Sequence, residues 1–194
     1  MTRDHGKLRC PWPGTDTLYL DYHDREWGVP LRDDQALFEL FILETFQAGL
    51  SWYLILKRRE NFRQAFNGFN PHVMAGYTDR DLSRLMADPG IIRNRLKIEA
   101  AQGNARAFLA LAQKRGSFAN YLWDFVDHTP IVNTWETMQQ VPATTPLSDA
   151  VSRDLKKQGF RFVGSTTIYA FLQSAGLVND HLVTCFRHAE LANV

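Results

Sequence analysis

Three groups of residues in this sequence have types and spacings that could do chemistry. The first is a lone carboxylate, Glu44, set in the apolar run Leu37-Phe38-Glu39-Leu40-Phe41-Ile42-Leu43-Glu44-Thr45-Phe46. Apolar residues at 37, 40, 41 and 48 trace one face of a helix, and Glu44 falls on that face. Phe38, Ile42, Leu43 and Phe46 make the other faces apolar too, so the carboxyl is expected to lie away from bulk water. Burial raises a carboxyl pKa unless hydrogen bonds or a cation hold the group ionised. Two readings follow: an internal ion pair with a lysine or arginine, or the wall of a ligand pocket.

The second group is Cys10, His23, His181 and Cys185. His181 and Cys185 have the i, i+4 spacing that puts two donors on one helical face. The two cysteines are the only ones in the chain, one near each end. In a reducing compartment they are free thiols or metal ligands rather than a disulfide. If the chain ends meet, two Cys and two His complete a tetrahedral zinc shell with no open position, which makes the ion a structural clasp and not a catalyst. The third group is Trp12, Tyr19, Tyr22 and Trp27, large rings crowded into a stretch rich in Pro and Gly. They read either as a staple for an irregular lobe or as a cage of π faces for a flat or cationic ligand.

The elements that must hold these groups are helical. Asp33 or Asp34 caps the helix carrying Glu44, and Gly49 stops it after about four turns. Leu50 and Trp52 then protrude at a break, followed by Lys57-Arg58-Arg59, an arrangement suited to kinking DNA or simply to core packing. The helical pattern resumes from Trp52 through Phe66. Thr78 to Asp81 reads as a capping box opening a short helix, and Asp88-Pro89-Gly90 turns into a second one with Ile98, Ala101, Ala105 and Phe108 in helical period. This is a helix-hairpin-helix element, over about 79–113. Gly90, Ile91, Arg93, Arg95 and Lys97 at its mouth are expected to grip phosphate through backbone N–H groups and positive charge, without reading bases. Gly164 and Ser165 begin the last long helix and offer a second such grip, or an ordinary cap. Residues 127–146 form a long irregular connection with at most one helical turn. No strand pattern stands out, so the fold class is all-α.

The 194 residues suit one domain, 1–194, with a clasped lobe from about 10–30 plus 165–187. With 22 basic and 21 acidic residues the net charge is +1, so an anionic partner must be met by a local patch and not by a global field. The N-terminus lacks the apolar core of a signal peptide, and no apolar run approaches the length of a membrane span, which points to the cytoplasm.

Five strings together resemble one family: 22–30 (Tyr-His-Asp-Arg-Glu-Trp-Gly-Val-Pro), 46–52 (Phe-Gln-Ala-Gly-Leu-Ser-Trp), 90–95 (Gly-Ile-Ile-Arg-Asn-Arg), 160–164 (Phe-Arg-Phe-Val-Gly) and 176–181 (Gly-Leu-Val-Asn-Asp-His). In this order they are similar to the 3-methyladenine DNA glycosylase I (Tag) family, over about residues 10–187. The resemblance implies a helix-hairpin-helix glycosylase fold with a zinc clasp, acting as a monomer on double-stranded alkylated DNA. It further implies hydrolysis of the N-glycosidic bond of a flipped-out 3-methyladenine, which leaves as the free base, with no membrane partner. Carried over residue by residue, Glu44 matches the family's base-contacting carboxylate and Tyr22 its hydrogen-bonding tyrosine, the two residues implied at the catalytic centre. Trp52 stacks on the base, while Trp12, Tyr19 and Trp27 line the pocket. Leu50 fills the gap left by the flipped base, and Cys10, His23, His181 and Cys185 hold one structural zinc. Thr45 departs from the pattern, standing beside the carboxylate where glycine is expected, which implies a change in pocket shape or helix packing. Superfamily members that break stronger bonds carry an Asp about 20 residues beyond the hairpin. Here residues 100–123 contain neither Asp nor Glu, so the implied chemistry is a monofunctional glycosylase without a Schiff-base lysine.

Overall fold

Helix formation follows local chemistry from the first element on. In the computed structural model, which describes residues 3, 4 and 6–192, the Asp16 side chain accepts the amides of Leu18 and Tyr19 and caps α1 (Thr17–Arg25). Asp33 accepts the amide of Ala36 and caps α2 (Asp34–Gln47). Asp34, the other candidate cap, instead accepts the amides of Phe118 and Ala119 and so ties α2 to a distant helix start. Between 37 and 46 every residue of α2 except Glu39 and Leu40 is buried. Each large apolar side chain so buried contributes about 1.5–3 kcal/mol, which is why this helix forms the centre of the molecule. Its C-cap is Ala48, and Gly49 takes a positive φ of 77° that a side chain would resist.

The segment after Trp52 is two helices, α3 (Trp52–Lys57) and α4 (Arg59–Ala65), broken at Arg58, where the sequence pattern shows one continuous stretch. Next come α5 (Pro71–Ala75) and α6 (Asp79–Ala87), the latter opened by the expected capping box of Thr78 and Asp81. A turn over 88–94 leads into α7 (Arg95–Arg115), capped by Asn94. α8 (Phe118–Trp123) is capped by Ser117, α9 (Pro146–Lys157) by Thr145. α10 (Ser165–Ser174) packs on both α2 and α9, and α11 (Phe186–Leu191) ends the described chain.

The fold is mostly helical, as expected, with little strand among the described residues. Two short strand pairs are present: β1 (Arg3–Asp4) antiparallel to β2 (Lys7–Leu8), and β3 (Ile131–Val132) parallel to β4 (Val178–Asn179). Strands of two residues carry no readable alternation. The second pair has a task, since it fastens the irregular 127–146 connection to the segment beyond α10. Gly176 lets that segment turn. Its φ is +73°, and a Cβ placed there would lie 2.4 Å from the backbone carbon of Val29. The Leu31 amide donates to the Ala175 carbonyl beside it, so the N-terminal lobe is pressed against the end of α10. A single cluster of buried side chains runs from Tyr22 through Val178, with a satellite around Cys10, Leu182 and Cys185. Among the described residues no helix is long and apolar enough to cross a membrane.

Candidate active site

α1, α2, α3 and α10 converge on a chamber of about 280 Å³, near the lower end of the roughly 300–1,000 Å³ typical of small-molecule sites. Trp12, Tyr19, Tyr22, Trp27 and Trp52 supply aromatic walls, and Glu44 forms part of the lining. The rings brace one another: Trp12 packs edge to face 4.9 Å from Tyr19 and 5.2 Å from Trp27, and Tyr22 lies tilted 5.3 Å from Trp52.

Glu44 is 2% exposed. Its Oε1 accepts a 2.8 Å hydrogen bond from the Ser174 hydroxyl, while its Oε2 has no partner among the described residues. Burial raises its pKa from 4.5 to about 8, only partly opposed by that one hydrogen bond. Among the described residues no lysine or arginine pairs with Glu44, so the internal ion pair that the sequence left open is not seen there. The negative charge latent in Glu44 acts in turn on its neighbours: burial first, and the nearby carboxyl second, hold the phenols of Tyr19 and Tyr22 above their ordinary range. The Trp52 indole Nε1 is another buried polar atom without a partner among the described residues. An acceptor and a donor left unsatisfied by protein in side chains lining one chamber are what a polar aromatic guest would satisfy.

Thr45 does not line the chamber. It is buried, and its hydroxyl donates 2.7 Å to the Ile42 carbonyl of the same helix, so the side chain at this position meets α2 itself and not the chamber. Sequence reasoning missed the far wall: Ser174, Tyr169, Gln173, Thr166 and Asp180, with Met138, Val141, Pro142 and Ala143 from the irregular connection. Asp180 explains how that wall is held. It accepts from Asn133 Nδ2, Trp135 Nε1 and Gln173 Nε2, each at 2.7 Å, and from the Tyr169 hydroxyl. The only signal for it was its place beside His181.

Cys10, His23, His181 and Cys185 do come together. Their donor atoms all lie within 4.8 Å of one another, and all four residues are buried. The S–N separations are 3.5 Å for Cys185 to His23 Nε2 and to His181 Nδ1, and 3.7 Å for Cys10 to His181 Nδ1. A tetrahedral zinc with Zn–S and Zn–N bonds of about 2.3 and 2.05 Å places S and N about 3.6 Å apart. The other ring nitrogens are already used: His23 Nδ1 meets Asp24 at 2.8 Å, and His181 Nε2 meets the Trp27 carbonyl at 3.0 Å, the outer shell that orients metal-bound imidazoles. Asp24 is held in turn by Arg9. Burial pushes His181 toward its neutral form. A hydrogen bond between the thiols drives Cys10 up and Cys185 down, so only one ionises unless a cation sits between them. The donor set fits a structural metal ion.

The residues expected to meet DNA divide. Leu50 is 39% exposed in the loop between α2 and α3, and Arg93 and Arg95 lie at the exposed hairpin mouth, where Arg95 pairs with Glu99. The Gly90 amide donates to Asp88, and Ile91 buries its side chain in the core. Gly164 caps α10, but the Ser165 hydroxyl is bonded to Ser148. Lys97 requires a correction: it is 6% exposed and its ammonium donates to the carbonyls of Phe46 and Ala48. Pointing inward, it cannot meet a phosphate as expected.

Comparison with known proteins agrees with this geometry. A family model described as methyladenine glycosylase matches residues 12–188. The DNA-3-methyladenine glycosylase 1 of Escherichia coli (strain K12) is 50% identical over 177 residues, 91% of this chain and 95% of that protein. A crystal structure of 3-methyladenine DNA glycosylase I superposes with a TM-score of 0.90 at 49% identity, covering 92% of this chain and 98% of that one. A substituted 3-methyladenine DNA glycosylase I in complex with 3-methyladenine gives a TM-score of 0.89 at 39% identity, covering 92% and 96%.

Proposed function

We propose a function from a plain premise: the chain belongs to the methyladenine glycosylase family. It is a DNA-3-methyladenine glycosylase, which excises 3-methyladenine from alkylated DNA by hydrolysing the N-glycosidic bond. The observation that carries this reading is Glu44, a buried carboxyl with no basic partner among the described residues, lining an aromatic chamber with room for one base.

The chemistry follows from charge. A base must leave the duplex before its glycosidic bond is accessible, at a cost of a few kcal/mol, and Leu50 is the exposed apolar group placed to fill the gap. Inside the chamber Trp52 and Tyr22 offer ring faces, each worth about 0.5–2 kcal/mol to a cation. At pH 7 the free pocket holds Glu44 protonated, because its pKa is about 8. Ionising it there costs about 1.4 kcal/mol. A positive base about 4 Å away returns roughly 4 kcal/mol at an effective dielectric constant of 20. The alkylated cation therefore converts the acid to a carboxylate and is held by it, whereas neutral adenine does not. As the bond to C1′ breaks, its electrons neutralise the base and the positive charge passes to the sugar, which water attacks. A carboxylate on the base side thus contributes recognition more than rate. That suffices for a leaving group already weakened by its charge.

No lysine lines the chamber among the described residues, and Asp124, the first acid after the hairpin helix, is an exposed partner of His128. Both support a monofunctional enzyme. Zinc is proposed at Cys10, His23, His181 and Cys185, where it would join the two ends of one domain and supply no step of the reaction. Double-stranded DNA is the proposed substrate and a monomer the proposed form. The test is incubation with methylated duplex followed by chromatography of the released bases. Release of 3-methyladenine with strands intact until alkali is expected; no released base, or nicking without alkali, would overturn the function or its monofunctional character respectively.

A further inference from the structure

We propose that Lys97 is a positioning residue for base flipping: its buried ammonium locks the end of α2 to the hairpin, so that Leu50 is held at the angle of entry when the hairpin meets the DNA backbone. This deepens the glycosylase reading and rests on it. The last carbonyls of a helix have no intrahelical donors. At the end of α2 the lysine supplies them, with Nζ 2.7 Å from the Phe46 oxygen and 2.6 Å from the Ala48 oxygen, where a positive charge also opposes the helix dipole. Lys97 itself sits in the first turn of α7, its amide bonded to the capping Asn94 at the end of the hairpin.

Between the Ala48 carbonyl and α3 lie only three residues, of which Leu50 is the exposed apolar one. The Leu50 amide folds back on the Gln47 carbonyl, so the loop turns directly off the anchored helix end. The far side of α3 is tied to the hairpin as well. Arg58 donates to the carbonyls of Pro89 and Gly90 at 3.1 and 3.3 Å. Two cations that would suit phosphates are spent instead on main-chain oxygens, one on each side of the wedge. The same helix α7 fixes the turn before α10, through Asn104 and both main-chain groups of Arg161. Hairpin, wedge loop and second grip are thereby one rigid unit, and loosening its joint misplaces the wedge without touching the pocket.

The test uses Lys97→Met, which keeps the stem and removes the charge, alone and combined with Leu50→Ala. Excision from methylated duplex is expected to fall about 10- to 100-fold, the loss typical of a misplacement near 1 Å. Affinity for free 3-methyladenine stays within about twofold, and the slope of log K against log salt for duplex binding is unchanged. In the double variant the loss does not exceed that of Leu50→Ala alone, because one residue acts through the other. Four outcomes would overturn the proposal: wild-type excision by Lys97→Met, equal losses in duplex excision and free-base affinity, multiplicative losses in the double variant, or a salt slope reduced by about one, the mark of a phosphate contact. Should Lys97→Met not fold, Lys97→Gln, which keeps a polar head in the buried site but removes the charge and shortens the reach to the two carbonyls by one bond, is read by the same criteria. Failure of the wild-type enzyme to release base would instead sink the glycosylase reading.

Discussion

Replacing Glu44 with glutamine should make the protein more stable, and more so as pH rises. In the folded chain burial lifts the carboxyl pKa from 4.5 to about 8. A group whose folded pKa is raised keeps its proton in the native state after the unfolded chain has lost it. Its contribution is fully present below about pH 4.5 and is lost as pH rises through about 8. The two values are about 3.5 pH units apart, which at about 1.36 kcal/mol each makes roughly 5 kcal/mol in all, of which about 4 falls between pH 5 and pH 9. Glutamine is close in shape, can still bond Ser174, and does not titrate. Urea unfolding of both proteins across that range gives the difference directly, with other groups cancelling to the extent that they are independent of this site. The variant should gain on the wild type by several kcal/mol toward pH 9. A difference that stays flat would mean that Glu44 is not a buried, uncompensated acid, and the charge-switch reasoning would fail with it.

Gly176→Ala places a Cβ against the Val29 backbone at a positive φ, and should cost more than about 2 kcal/mol; thermal unfolding like that of the wild type would show that the two segments do not press together. Leu50→Ala should slow excision from duplex by about tenfold or more while leaving free-base affinity within about twofold, since the flipping cost is a few kcal/mol and the pocket is untouched; equal effects in both assays would remove the wedge from its role. Removing metal with a chelator, or Cys185→Ser, should lower the melting temperature by several degrees or more and expose the Cys10 thiol to labelling; a melting curve indifferent to chelator would argue against a zinc clasp.

The parts of this site that a sequence can display are those with an unusual residue type in a regular background. Glu44 was visible because it interrupts an apolar helix face, and Cys10, His23, His181 and Cys185 because their side chains have few other uses at such spacing. The capping box at Thr78 was equally plain, although Asp33 and Asp34 could be told apart only when Asp34 was found bonded to α8. What stayed hidden depends on direction and on long-range contact. Lys97 has the composition of a phosphate ligand, and only the fold turns it inward. Ser174 and Asp180 are common polar residues whose partners lie far away in sequence. The two-residue strands leave no pattern at all, and the wall formed by Met138 to Ala143 comes from a connection whose path is set by that strand pair.

The most direct measurement is the proton released when a permanently cationic, dialkylated adenine enters the pocket at pH 7, obtained by calorimetry in buffers of differing ionisation heat. With a pKa of about 8, Glu44 should give up about 0.9 proton per molecule bound, while adenine releases none and the glutamine variant releases none with either ligand. Binding of the cation without proton release, or with the same release after Glu44→Gln, would contradict recognition by this carboxyl.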